Sequence, residues 1–291
     1  MRREVEIALE LAREHGVRCD RPDVLNEGFN LLLALPPHPV AARIPLAAAK
    51  VRDPLATASV EIAFAEALAR SGIAATRPSA LIPAGPHQRD GIIVSFWELE
   101  RIASRPLDAR SAGRSLRKIH DLDPDRLGFL PPFRPLRELD VLLGQIADRE
   151  LLPPDDLALL EAETLRLTAL LPDRYEERPL HGDAHLGNVL ESARGTVWID
   201  LEDGCLGPRE WDLATLQAAA RRLGLDLPWR ETLAGYDLTP DPVLLELMVE
   251  LRGVYVAAWH SLGAATISEC VIWRDRWLQI IRSDRAARAC S

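Results

Sequence analysis

Residues 181–190 read HGDAHLGNVL. Two His, an Asp, an Asn and two Gly crowd into these ten positions before the chain turns apolar. Gly182 and Gly187 disfavour a helix, because glycine gives up the most backbone freedom on ordering. The segment therefore reads as a loop. It feeds NVLESARGTVWID, residues 188–200, where the apolar runs VL and VWI flank ESARG. Gly195 can take the positive φ of a tight turn, so the pattern predicts a β-hairpin. A turn centred on Ala193-Arg194 sets Asn188 roughly opposite Ile199, with Asp200 next to it. Asp183 sits in the loop that feeds the same open end.

Three oxygen-bearing side chains, Asp183, Asn188 and Asp200, thus converge from local geometry alone. Asn188 and Asp200 supply an amide carbonyl and a carboxylate, a hard-oxygen pair of low charge suited to Mg²⁺. Asp183 is left free to receive a proton. Together these are the parts that phosphoryl transfer to a hydroxyl requires. Each residue taken singly also fits a turn or helix cap. His181 and His185 form an HxxxH pair that could bind zinc on a helix, but the two glycines and the missing HExxH glutamate argue against it.

Working outward, the chain changes character near residues 97 to 105. Before that point DVLNEGFNLLLAL (23–35) predicts two extended segments bent at Gly28. PPHP (36–39) is a turn, VAARIPL (40–46) a strand, and TASVEIAFAEALARSGI (57–73) a helix. GIIVSFWEL (91–99) predicts a buried strand. Beyond it, residues 108–122, 155–171 and most of 212–288 carry helical periodicity, with breaks at Gly224, Pro228, Pro240, Pro242 and Gly263. The expected class is α+β, with a small β-rich lobe over residues 1–98 and a larger helical lobe over 99–291.

Composition limits the function. A formal net charge of −9 leaves no basic surplus to neutralise phosphates, which argues against a nucleic-acid binder. It is compatible with a cationic substrate. The four Cys show no CxxC pair, and the amphipathic N-terminus does not read as a signal peptide, so a reduced cytoplasmic protein is expected. No apolar run approaches the roughly 20 residues that span a bilayer. The 35 basic residues include only two Lys, Lys50 and Lys118, so a required cation must mostly be Arg. The pairs Tyr255/Trp259 and Trp273/Trp277, with Glu269 or Asp275 nearby, could cage a cationic amine or simply pack helices.

HGDAHLGNVL followed by WIDLEDGCLGPREWDLA resembles the aminoglycoside phosphotransferase/choline kinase-like family, a branch of the protein-kinase-like fold. That family carries HGDxxxxN, an IDxE or IDxG segment about a dozen residues later, and a GPxxxDLA-like segment. Asp183 to Asn188 is five residues here, and Asn188 to Asp200 is twelve. The resemblance implies a two-lobed kinase fold and transfer of the γ-phosphate of ATP or GTP to a hydroxyl of a small substrate. It makes Asp183 the catalytic base and Asn188 and Asp200 the Mg²⁺ ligands. His181 would support the loop, and Asp212 would cap the next helix and brace the loop.

The first lobe departs from the family pattern. Where these kinases place a strand Lys paired to a helix Glu, the alignment through VAARIP gives Arg43, eighteen residues before Glu61. Arginine is permanently charged and binds phosphate bidentately, so the role survives in principle. Arg43 and Glu61 could equally be an ordinary salt bridge, and Lys50 is an alternative cation. The loop NEGFN offers a lone Gly28 and not GxGxxG, and Trp97 either flanks the nucleotide base or belongs to the core. A kinase-like binding module without transfer is the alternative, followed by a metal-dependent phosphohydrolase using His181, His185 and the carboxylates. The helical lobe shows no motif that selects among aminoglycoside, macrolide, choline-like amine, amino sugar or amino-acid alcohol acceptors.

Overall fold

The computed structural model describes residues 2–46 and 48–290. Helix α1 (Arg3–Glu14) presents Ile7, Ala8, Leu11 and Ala12 on one face. That face packs on an antiparallel sheet made of β1 (Asp23–Glu27), β2 (Asn30–Ala34), β3 (Val40–Pro45), β4 (His87–Arg89) and β5 (Ile92–Glu98), in the order β1-β2-β3-β5-β4. Strand residues alternate between faces. Ala42 and Ile44 of β3 therefore join Leu33, Val94 and Phe96 beneath α1, while Ala41 looks to the other side with Trp97. Arg43 falls on that second face, beside Leu32 of β2 and Ser95 of β5.

The second face is covered by α2 (Pro54–Arg70), which buries Phe64, Ala65 and Leu68. The helix starts three residues before the expected Thr57, because Asp53 caps it with Pro54 in its first turn. Asp53 accepts from the Leu55 and Ala56 N–H groups at 2.9 and 3.3 Å. This start places Glu61 on the buried face of α2.

Helices dominate the remainder: α3 (Ala109–His120), α4 (Pro135–Asp148), α5 (Pro154–Leu170), α6 (Glu210–Leu223), α7 (Trp229–Tyr236), α8 (Pro242–Gly263) and α9 (Glu269–Ala289). Between α5 and α6 run β6 (Arg178–Leu180), β7 (Val189–Ser192), β8 (Gly195–Trp198) and β9 (Cys205–Gly207), paired β6 with β9 and β7 with β8. One core joins α4, α5, α6, α8 and α9 around Met248, Leu251 and Trp277. A second joins α3 and α7 to α2 and the β7–β8 hairpin through Leu116, Ile119, Phe64 and Trp198. Helices α3 and α7 approach so closely that a Cβ on Gly113 would lie 1.9 Å from the Thr232 carbonyl oxygen. Trp277 and Tyr255 are core residues here with Trp259 packed against them, and the rings of Tyr255 and Trp259 face Arg252 and Arg52.

Candidate active site

The hairpin forms as its sequence predicts. Val189 pairs with Trp198 and Ser192 with Gly195, leaving Ala193-Arg194 at the turn. The Ile199 N–H donates to the Asn188 carbonyl at 3.0 Å, so Asp200 follows directly at the open end. The Asn188 side-chain N–H₂ reaches back to Asp183, donating to its carbonyl at 2.9 Å and to its carboxylate Oδ2 at 3.1 Å. This uses the amide nitrogen and, among the described residues, leaves the Asn188 Oδ1 without a donor. Asp200 has φ = 64°, a left-handed conformation that residues with a Cβ seldom adopt.

The loop is held from beneath by Asp212. Its Oδ2 accepts from the His181 N–H at 2.7 Å and from His120 Nε2 at 2.9 Å, and its Oδ1 accepts from the Gly182 N–H at 2.9 Å. The Tyr236 hydroxyl in turn donates to His120 Nδ1 at 2.7 Å. Asp212 lies inside the first turn of α6 and does not cap it; the N-cap position is Arg209, which makes no side-chain cap. Gly182 has φ = +86°, and a Cβ there would fall 2.1 Å from the Asp203 carbonyl oxygen. Trp211 donates its indole N–H to the Gly182 carbonyl at 2.7 Å.

His181 is fully buried and spends both ring nitrogens on backbone. Nε2 donates to the Ile199 carbonyl at 3.0 Å, and Nδ1 accepts from the Asp183 N–H at 3.3 Å. It links the loop to the end of β8 and has no nitrogen left for zinc. His185 instead points Nε2 at Asp183 Oδ2, 3.3 Å away. Burial would lower the His185 pKa, but the Asp183 carboxylate raises it above the ordinary histidine value.

On the sheet side, Arg43 is the hub of three carboxylates. It donates to Glu61, to Asp200 Oδ1 at 2.5 Å, and lies 3.0 Å from Glu202 Oε2. Asn30 donates to the other oxygen of Glu202 at 3.0 Å. One guanidinium faces three acids, of which Glu61 and Glu202 are buried. Burial therefore pushes Glu61 up to about 8 against the pull of Arg43, and Glu202 is raised for the same reason. Arg43 itself is held charged, its own desolvation outweighed by Asp200, Glu202 and Glu61.

On the helical side, Asp183 accepts a hydrogen bond from Arg252 of α8. Desolvation opposes ionisation of Asp183, but Arg252 and His185 overcome it and hold the carboxyl well below its usual range. The Arg252 guanidinium lies over the rings of Trp211 and Tyr255, 5.4 and 5.6 Å from their centroids. Next to it, Arg52 grips Glu138 through two bonds of 2.7 and 2.8 Å, binds Asp203, and donates to the Tyr255 hydroxyl at 3.1 Å.

The structure thus gathers Asp183, Asn188 and Asp200 with Arg43, Glu61, His181 and Asp212. Trp97 is buried in the core, with its indole N–H bonded to Ser95 at 2.8 Å. Gly28 forms the bend between β1 and β2, and the adjacent Phe29 ring meets Trp259 edge-on at 5.6 Å. Lys50 lies exposed beyond β3 and Lys118 on α3, neither on the strand that carries Arg43. Sequence reasoning missed Glu202, Arg252 and Arg52. Glu202 stood in view as the acid of the IDLE segment, whereas no local pattern marks the two arginines.

A sheet with a buried cation, a helical lobe with an acid–amide loop, and a left-handed Asp between them define a kinase-like phosphotransferase. The sequence profile of the phosphotransferase enzyme family matches residues 39–247, well over half of the chain. The chain belongs to that family. No curated protein sequence matches it. Among solved structures, a spectinomycin phosphotransferase in complex with ADP and spectinomycin superposes with a TM-score of 0.68 at 14% identity, over 95% of this chain and 97% of that one. An amicoumacin kinase in complex with AMP-PNP and Ca²⁺ gives 0.68 at 12%, over 98% and 96%. A choline/ethanolamine kinase family protein from Mesorhizobium loti gives 0.57 at 16%, over 96% and 99%. At these identities the likeness is one of fold.

Proposed function

We propose that the protein is a Mg²⁺-dependent small-molecule kinase that transfers the γ-phosphate of ATP or GTP to a hydroxyl of a small acceptor. The observation that carries this is the bond from Asn188 to Asp183, with Asp200 fixed beside Asn188 across the hairpin. The nucleotide would lie between the lobes, which we divide at residues 98 and 99. Neighbours of the same fold hold ADP, AMP-PNP or GDP, which supports a nucleotide co-substrate. Among the described residues no helix is long and apolar enough to cross a membrane. We place the protein in the cytoplasm, where nucleotide and Mg²⁺ are abundant.

The residues present fit a magnesium ion. The Asn188 amide nitrogen is spent on Asp183, so its carbonyl oxygen remains as a donor, and Asp200 adds a half-exposed carboxylate. Bound there, the ion would neutralise charge on the β- and γ-phosphates. Arg43 would add a fixed positive charge beside the phosphates, and Glu61 would set its orientation. Asp183 would take the proton of the acceptor hydroxyl, while Asn188 and His181 keep it in register. Asp212 would hold the loop backbone that carries all of them.

A nucleotide-binding protein without transfer is the second reading, favoured by the engagement of Asp200 with Arg43. Thermal unfolding with ATP or GTP, with and without Mg²⁺, separates the two once paired with a transfer assay. A ligand at about 100 times its Kd stabilises by roughly 2.7 kcal/mol, and at this size each 1 kcal/mol shifts Tm by about 2–4 °C or somewhat less. The kinase reading requires a Mg²⁺-dependent rise in Tm that Asp200→Asn abolishes. A rise that ignores Mg²⁺ and Asp200 would favour the binding protein, and no rise with either nucleotide would sink the kinase reading.

A further inference from the structure

The Arg252 side chain is the least explained charge at the site. It is only 11% exposed, yet among the described residues its hydrogen bonding goes to Asp183 alone. Its remaining guanidinium N–H groups have no protein acceptor there. By contrast, the neighbouring Arg52 donates through Nε and Nη2 to three residues, Glu138, Asp203 and Tyr255. Arg252 is also lined by aromatic rings: its Cζ lies over Trp211 and Tyr255, 5.4 and 5.6 Å from their centroids. A guanidinium is itself planar and presents its N–H groups in one plane, the geometry that matches an oxyanion bidentately.

Asp183 is correspondingly masked. Arg252 donates to its Oδ1, while Asn188 and His185 approach its Oδ2. Arg252 occupies the Oδ1 of Asp183, so an acceptor hydroxyl can reach that oxygen only once Arg252 is drawn off it. A second anion next to the acceptor hydroxyl would do that. A cationic acceptor would instead have to approach Asp183 against the Arg252 charge.

Resting on the kinase reading above, we propose that the acceptor carries an anionic group near its hydroxyl, a carboxylate or a phosphate, which Arg252 binds and which thereby releases Asp183 to the hydroxyl. In the transfer step the acceptor oxygen forms the new bond to the γ-phosphorus. The bond from that phosphorus to the β,γ-bridging oxygen breaks, the hydroxyl proton passes to the Asp183 carboxylate, and the nucleoside diphosphate leaves. Arg252 is then a substrate-binding residue that sets acceptor class.

The test is an acceptor panel with Mg²⁺ and ATP or GTP, read by nucleoside diphosphate formed per acceptor. Hydroxycarboxylates (hydroxybutyrate, glycerate, gluconate) form one arm and glycerol phosphate another. Choline, ethanolamine and ethylene glycol are the cationic and neutral arms. The expected result is transfer to a carboxylate or phosphate arm, which tells the two oxyanions apart, at a kcat/KM at least about tenfold above the cationic arm. Arg252→Gln should cost about 10- to 100-fold in kcat/KM for that acceptor, mostly through KM. Arg252→Lys should recover part of it. A preference for cationic or neutral acceptors, or an unchanged preference in Arg252→Gln, overturns the proposal. So does an absence of transfer to both anionic arms while nucleotide still raises Tm. If nucleotide fails to raise Tm in the wild type, the kinase reading itself is what has failed. Should Arg252→Gln not fold, the wild-type preference decides.

Discussion

Arg43 of β3 places a guanidinium nitrogen 2.5 Å from Asp200 Oδ1, bridging the sheet and the end of the β7–β8 hairpin. The same side chain binds Glu61 and Glu202, so one cation holds three acids, one on α2 and two on the segment that follows β8. Breaking a buried pair by removing one partner leaves uncompensated charge, at a cost of about 3–5 kcal/mol. Arg43→Ala should lose about that much in urea denaturation. Arg43→Lys should lose less, because a single ammonium keeps the charge but cannot fork to all three. Wild-type stability in Arg43→Ala would show that the cluster neutralises itself by protonation.

Asp183→Asn tests the base. The substitution keeps the shape of the side chain and removes its capacity to take a proton. General-base catalysis contributes typically 10²–10⁴-fold, so kcat should fall by about that much, while the Mg²⁺-nucleotide shift in Tm persists. A variant that loses nucleotide binding as well would place Asp183 in the nucleotide site and contradict its assignment as base.

The contrast between these residues shows what the sequence discloses. Asp183, Asn188 and Asp200 lie within one loop and one hairpin, so turn chemistry and strand pairing bring them together without knowledge of the fold. Arg252 meets Asp183 across 69 residues and Arg52 meets Asp203 across 151, and nothing local marks those pairings. The resemblance implies that Asp212 both caps the next helix and braces the loop; it lies inside the first turn of α6 and does not cap it, and its carboxylate faces the loop N–H groups. Helix α4 was legible but unread: Leu139, Leu142, Leu143 and Ile146 have helical spacing behind Pro135. Strands β6 and β9 have three residues each, too few to show a period.

Asp212→Asn tests the brace. The carboxylate accepts three hydrogen bonds, from the His181 and Gly182 N–H groups and from His120. An amide offers one oxygen and turns an N–H₂ toward the other donors, leaving buried donors unpaired at about 1–3 kcal/mol each. Stability should drop by a few kcal/mol, and kcat should fall although Asp212 touches no reactant. Hydrogen exchange at the His181 and Gly182 amides would report the loosening directly. Unchanged protection there would remove Asp212 from the role.

Gly182→Ala tests the close approach of the loop to the segment after Asp200. The new Cβ would lie 2.1 Å from the Asp203 carbonyl, and φ = +86° is costly for any residue with a Cβ. Backbone on one side or the other must shift, moving Asp183 relative to Asp200. The expected outcome is a drop in Tm together with a Mg²⁺-nucleotide shift smaller than in the wild type. A variant with wild-type Tm and shift would mean that the loop and the 201–204 segment move independently.

Glu61 makes the nucleotide-free protein sensitive to pH. Its folded pKa is pushed up to about 8 by burial, against an ordinary carboxyl value of 4.5. Between those values the folded protein keeps a proton that the unfolded chain releases. Stability therefore falls as pH rises wherever the folded state binds more protons. The contribution is whole below about pH 4.5, declines as pH climbs toward 8, and is spent above it. Glu202 and Asp203, also raised, act in the same direction, whereas the depressed Asp183 contributes a loss only on the acid side of 3.8. Glu61→Gln resembles the protonated form at every pH and should remove its share of the slope. Tm measured from pH 5 to 9 on both proteins should give a difference, wild type minus variant, that becomes steadily less favourable to the wild type. A difference that stays constant across that range would mean that Glu61 is already ionised beside Arg43, and that the guanidinium outweighs burial.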